Sequence, residues 1–251
     1  MSISFQLYSA RNFTPWGDVL ATLAELGYPQ VEGFGVAYED PAAFKALLDK
    51  HGLTMPSGHF GLDDLEQNLP NVLAAAKVLG IQHVICPNLA STERPSDSAG
   101  WQVIAQRLAA IGSKVRAAGF TFAWHNHNFE FVPCTDNGAM PLAIMLDHDP
   151  EMKWEADIAW VARGGADPLE WIERYGDRIH IAHGKDIAPQ GECLDEDGWA
   201  DFGHGILDWK TIAQALHQHG TNMIVMEHDN PNDLRRFASR AYQSYQALKG
   251  V

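Results

Sequence analysis

Glu130, Asp157, His183 and Glu227 are the residues of this chain whose types and placement could do chemistry together. Each follows a short apolar run, where a buried strand would end. They offer one imidazole and three carboxylates, a hard, oxygen-rich set that suits Mn²⁺ or Mg²⁺ and admits Co²⁺ or Zn²⁺. One such residue alone reads as a solvated loop residue. Four at successive strand ends read as a site, because ionisable groups that converge in a pocket mark function. Glu32, His59, His125, His127 and Lys185 stand at the same kind of position. His125 and His127 share strand parity, so both could face inward. Glu155 has the parity of Asp157, one step deeper, where a buried carboxylate needs a partner such as His125 or His127. Trp160 lies beside these ends, and an aromatic face there could stack on a sugar ring or fill the mouth of a barrel. His204 sits between Gly203 and Gly205 in a glycine-rich segment, 187–206, of the kind that forms lids or stays disordered.

Eight elements must carry these residues to one place. The apolar runs cover 3–8, 30–34, 53–59, 83–87, 120–125, 152–157, 178–183 and 222–227. They are short, partly β-branched and bounded by Gly, Pro, Asn or Asp, as buried parallel strands are. Between them apolar residues step by three or four, as in Trp101, Ile104, Leu108, Ile111 and Val115. Gly27, Gly52, Gly80, Gly119, Gly176 and Gly220 precede several runs and are placed to end the preceding helices. Eight strand–helix alternations in 251 residues predict one (β/α)₈ TIM barrel over residues 1–251, with no second domain. A doubly wound open sheet also alternates, but no GxGxxG follows the first strand. With 46% hydrophobic residues the chain can bury a sizeable core. Its net charge of −14 repels phosphate backbones and anionic membranes, so nucleic-acid partners are not expected. No apolar run is long enough for a membrane span. Cys86, Cys134 and Cys193 form neither a disulfide framework nor a CxxC clip, and the N-terminus lacks the pattern of a signal peptide. A reducing cytoplasm is the expected compartment.

At these residues the chain resembles the xylose isomerase-like TIM-barrel family of sugar phosphate isomerases and epimerases. Gln6-Leu7-Tyr8-Ser9-Ala10-Arg11 is similar to the family's opening strand, and His125-Asn126-His127-x-x-Glu130-Phe131 to its fifth. Glu155-x-Asp157-x-x-Trp160, Arg178-Ile-His-Ile-x-His183-x-Lys185-Asp186 and Glu227-x-Asp229 resemble the sixth, seventh and eighth. The loop Gly203-x-Gly205-x-Leu207-Asp208-Trp209 is also shared. The resemblance implies a divalent metal held by Glu130, Asp157, His183 and Glu227, with His125, His127 and Glu130 competing for the fifth-strand position. Many relatives place that Glu earlier on the strand, and several epimerases have Asp-x-x-His where this chain has Asp157-x-x-Trp160. A DNA-repair endonuclease branch carries the same Asp-x-x-His, and Trp160 together with the charge argues against it.

A metal that chelates a carbonyl and an adjacent hydroxyl acidifies the carbon-bound proton between them through an enediolate. His127 or Glu227 is the expected base, Lys185 the group that orients a substrate oxygen, and Glu32, His59, His125, Trp160 and His204 the substrate contacts. The expected activity is a sugar isomerase or epimerase acting on a small-molecule sugar or keto-sugar. A keto-sugar or inosose dehydratase shares the metal, base and intermediate. A non-catalytic sugar-binding barrel would keep aromatic walls without needing the four ligands. A homo-oligomer is admitted by the sequence.

Overall fold

The computed structural model describes residues 1–248. Eight parallel strands form the central sheet: β1 (Ser2–Phe5), β2 (Gln30–Gly33), β3 (Thr54–His59), β4 (His83–Cys86), β5 (Thr121–His125), β6 (Lys153–Asp157), β7 (Ile179–Gly184) and β10 (Met223–Met226). Their order around the sheet is β1-β10-β7-β6-β5-β4-β3-β2. A single parallel bridge between Gln6 and Glu32 joins the two ends, so the barrel is nearly closed. Two short strands, β8 (Asp186–Ile187) and β9 (Trp199–Ala200), pair antiparallel above it.

The surrounding helices are α1 (Trp16–Leu26), α2 (Pro41–Lys50), α3 (Leu62–Gln67), α4 (Leu69–Leu79), α5 (Ser98–Ala117), α6 (Pro141–His148), α7 (Ile158–Arg163), α8 (Pro168–Tyr175), α9 (Trp209–Gln218) and α10 (Leu234–Leu248). Aspartates start several of them: Asp40, Asp97, Asp167 and Asp208 each accept a first-turn backbone N–H. Gly27 and Gly80 end α1 and α4 at φ 96° and 82°, a region costly for any side chain with a Cβ. Gly176 ends α8 differently. Its φ is −56°, and its lack of a Cβ instead admits the His219 ring, whose Cγ would lie 2.3 Å from that atom. Among the described residues no helix is long and apolar enough to cross a membrane.

The main apolar layer lies between sheet and helices and includes Phe5, Leu20, Leu108, Phe122, Trp154 and Phe237. A second, small cluster is Ile85, Ala123, Ile181, Met223 and Val225. Its members alternate along their strands with the outer layer, so they fill the lower barrel interior. The next inward positions toward the strand C-termini are polar: Gln6, Glu32, His59, His125, Glu155, His183 and Glu227.

Candidate active site

Alternation along the strands puts imidazoles and carboxylates from opposite sides of the barrel against one another. His183 of β7 is completely buried. Its Nδ1 lies 2.9 Å from Glu227 Oε2, and its Nε2 lies 2.8 Å from Glu32 Oε1 and 3.2 Å from Glu155 Oε2. His59 of β3 reaches the same two carboxylates, with Nε2 2.6 Å from Glu155 Oε2 and 3.2 Å from Glu32 Oε1. His125 Nδ1 stands 3.2 Å from Glu155 Oε2. Two sets of donor atoms therefore converge. His125, Asp157, His183 and Glu227 form an upper set; His59, His125, Glu155 and His183 form a deeper one.

Electrostatics follow from burial and these contacts. Burial opposes charging His59, but Glu155 and Glu32 outweigh it and raise its imidazole to about 9. His183 is raised in the same way by Glu155, Glu227 and Glu32. Burial would raise Glu32, yet His59 and His183 hold it well below the usual carboxylate range. Burial lowers His125, and the neighbouring His183 and His59 lower it further. Asp157, in the upper set, is pushed up to about 7, chiefly by burial. Its Oδ1 caps α7 by accepting from the Trp160 N–H at 2.9 Å, while its Oδ2 makes no hydrogen bond.

Asp157, His183 and Glu227 stand together as expected from their strand ends. The fourth expected ligand does not join them. The β5 strand stops at His125, and residues Phe129–Phe131 make a tight turn that folds Glu130 back under the strand. Glu130 Oε1 accepts from Trp124 Nε1 at 3.0 Å, and Oε2 from the His127 N–H at 2.9 Å. Burial raises its carboxyl to about 8. His125 is the β5 contribution to both donor sets. Glu130 thus holds a turn, away from both.

Lys185 also departs from its expected role at a substrate oxygen. It is fully buried, with Nζ 2.8 Å from Asp229, 3.0 Å from Glu227 and 3.2 Å from Asp157. The rings of Trp199 and Trp160 flank it at 4.6 and 5.2 Å. It fixes the carboxylates. His204 is exposed, with Nδ1 2.8 Å from Arg240 of α10, and it is not among the residues that line the cavity over the site.

A cavity of about 340 Å³ opens over this floor. His59, His125, His127, Glu227 and Asp229 line its polar side, and Tyr8 and Phe34 its aromatic side. His127 lines it, with Nδ1 buried and without a hydrogen-bond partner; burial and then Lys185 push its imidazole down to about 3. Trp160 backs His127, with ring centroids 5.3 Å apart, and Glu32 lies beneath the floor; neither lines the cavity. Asp229, Trp199 and the wall residue Tyr8 had no assigned role in the sequence, whereas Phe34 stands beside a strand end, as a sugar-stacking or mouth-filling aromatic would. Asp229 shares the parity of Glu227, which could have found it. Trp199 had no such signal, because an irregular loop brings it back. A larger cavity of about 440 Å³ near Lys210 and His217 gathers no metal-competent set among the described residues.

A sequence model of the xylose isomerase-like TIM barrel matches residues 20–248. An inosose dehydratase of Geobacillus kaustophilus is 25% identical over 193 residues, covering 68% of this chain and 61% of that protein. The matched region thus spans under two thirds of that relative's length. A sugar phosphate isomerase/epimerase structure from Parabacteroides distasonis superposes with TM-score 0.83 at 19% identity, covering 98% of this chain and 93% of that one. The zinc-bound IolI protein superposes with TM-score 0.78 at 16% identity, covering 99% and 96%. At those identities the two structures share the fold.

Proposed function

The chain belongs to the xylose isomerase-like TIM-barrel family, and we propose that it is a divalent-metal-dependent enzyme that takes a proton from the carbon beside a carbonyl of a sugar or cyclitol. Isomerisation or epimerisation is one outcome of that step, and loss of water from a keto-sugar or inosose is the other. The observation that carries the reading is the convergence of imidazoles and carboxylates from β5, β6, β7 and β10 on the floor of one cavity. The dehydratase outcome gains weight from the inosose dehydratase relative.

The donors fit a divalent ion. Glu155 Oε1 and Glu32 Oε2 are buried carboxylate oxygens without hydrogen-bond partners, a costly state unless something binds them. His125 and His183 belong to both sets that could hold the ion, with Asp157 and Glu227 or with His59 and Glu155. A bound divalent ion supplies Lewis acidity to a carbonyl oxygen, so that the neighbouring C–H bond breaks more easily. His127 is the proposed proton acceptor, since its ring lines the cavity and no carboxylate or ammonium engages it. Glu227 is the less available base, because His183 and Lys185 already engage Oε2. Tyr8 and Phe34 present apolar faces to a sugar ring.

Incubation with ketoses, 3-keto-glycosides and inososes in D₂O, with Mn²⁺ or Zn²⁺ present, tests the proposal. One class should gain deuterium at carbon, and His127→Asn should slow that gain by roughly 10²–10⁴-fold. Product mass separates the outcomes: an isomer keeps its mass, and a dehydration product loses water. A protein that binds a sugar, exchanges no proton and binds equally well as Glu227→Gln is a binding barrel instead.

A further inference from the structure

Asn88 follows β4 and lines the cavity at its solvent-exposed rim, away from the strand ends that make the floor. We infer that Asn88 binds the substrate, its side-chain N–H groups donating to an oxygen at the outer end of the sugar or cyclitol, and that Arg94 is the positioning residue that aims them. This role rests on the proposed function and adds a specificity residue to the same site.

A side-chain amide carries an acceptor on one side and two donors on the other. Both groups against Asn88 Oδ1 are donors: the Leu89 N–H at 2.9 Å and Arg94 Nη2 at 3.2 Å. A reversed amide would set its own N–H groups against theirs, so the oxygen faces the loop. Nδ2 makes no hydrogen bond among the described residues. It is the free end of a side chain that lines the cavity.

Arg94 is held so that it fixes this amide. Its Nε donates to the Leu89 carbonyl at 2.9 Å, and its Cζ lies 3.7 Å over the Phe129 ring. A planar guanidinium can stack and donate in two directions at once, which an ammonium cannot. Among the described residues no carboxylate pairs with Arg94, although the chain carries 32 acidic residues. Its bonds go to a carbonyl and an amide oxygen instead, so it orients and does not balance charge. The two ends of the cavity therefore differ. Glu227 and Asp229 offer acceptors at the floor, and Asn88 offers donors at the rim. The group that Asn88 holds is an acceptor, namely a hydroxyl, ether or carbonyl oxygen, and an ammonium in that place is rejected.

The Zn²⁺-loaded full chain tests this with scyllo-inosose, D-fructose and methyl 3-keto-glucoside as probes. In ¹⁵N-labelled protein the Asn88 side-chain amide signals, assigned by their loss in Asn88→Ala, should shift when a probe binds. Asn88→Ala and the isosteric Asn88→Asp should raise KM for a probe that is turned over by roughly 3–10-fold, as one neutral hydrogen bond does. They should leave kcat within about twofold, because the bond is made equally in the ground and transition states. Arg94→Lys keeps the charge and should raise KM alike. Added to Asn88→Ala it should cost nothing further, since both act through one bond. Unmoved Asn88 signals with a probe bound overturn the contact and leave the functional reading standing. Additive effects of the two substitutions overturn the role of Arg94. Wild-type protein that binds none of the probes overturns the functional reading, and the role of Asn88 with it. Should Arg94→Lys not fold, the amide signals of the wild-type protein decide.

Discussion

Glu130 shows how far a strand pattern can be trusted at single-residue resolution. Alternation holds while the ladder lasts, and on β5 it ends at His125. Asn126 then turns sideways, accepting from Trp154 Nε1 at 2.7 Å and from the Asp157 N–H at 2.9 Å. Asp157, His183 and Glu227 were legible because they end strands; Glu130 was not, because a turn beyond the strand decides its direction. Its two accepted bonds lead to a prediction. Glu130→Ala strands two buried donors, each costing about 1–3 kcal/mol. Denaturant unfolding should show stability lower by roughly 2–6 kcal/mol, with Zn²⁺ stoichiometry unchanged. Lost stoichiometry in a folded variant would restore Glu130 as a ligand. His228 supplies a pH-dependent case. Burial pushes its imidazole down to about 4, and its Nδ1 accepts from the Asn230 N–H at 3.2 Å. The fold thus favours the neutral ring, and this stability is complete above the ordinary pKa of about 6.5 and lost as pH falls toward 4. His228→Asn should remove the dependence. The wild-type advantage over it should shrink by roughly 2–3 kcal/mol from pH 7 to pH 4, read from unfolding free energies. A constant difference would mean the histidine is not held neutral.

The segment 187–206 departs most from its sequence pattern among the elements. Its glycines predict a lid or a disordered loop. In the structure one carboxylate gathers it. Asp186 Oδ1 accepts from the Ile187 and Leu207 N–H groups at 2.8 and 3.2 Å, and Oδ2 from Gly203 and Gly205 at 3.1 and 3.0 Å. Gly205 is required by contact: a Cβ there would lie 2.2 Å from Asp186 Oδ1 and 2.3 Å from the Ile187 carbonyl. Spacing cannot reveal such a cage, because its donors are backbone groups that any residue supplies. The cage holds β8 against β9 and so brings Trp199 over Lys185. Asp186→Asn replaces one accepting oxygen with a donor and opposes it to two N–H groups. Amide exchange at residues 203, 205 and 207 should quicken, by the factor that a loss of about 1–3 kcal/mol gives. Turnover should fall more than substrate affinity, since Lys185 positions Glu227 and Asp229. Unchanged exchange would place the loop's order in its apolar contacts instead.

At the scale of the whole molecule, eight alternations and the glycines between them made the barrel legible, because buried parallel strands and amphipathic helices leave separate periodicities. Which inward residues share a layer was not legible, because stagger between strands sets it. That stagger places Glu32, His59, His125, Glu155 and His183, from β2, β3, β5, β6 and β7, at one level. It leaves Ile85, Ala123, Ile181, Met223 and Val225 as the small apolar cluster inside the barrel. The upper interior therefore adds little apolar packing, and β1 and β2 are joined by the single Gln6–Glu32 bridge. An ion bound to donors from several strands would tie the barrel across this weak level. Because it binds the folded state, each tenfold rise in free Zn²⁺ above the dissociation constant should add about 1.4 kcal/mol to the unfolding free energy. Amide exchange should slow in all eight strands together, as it does when stability rises for the whole fold. The measurements are chemical unfolding and amide exchange across a series of buffered Zn²⁺ concentrations. Protection confined to residues next to the donors would mean that the ion orders the site locally. A flat response would mean that His59 and His183 balance the buried carboxylates through their own protons, with no ion needed to hold the barrel.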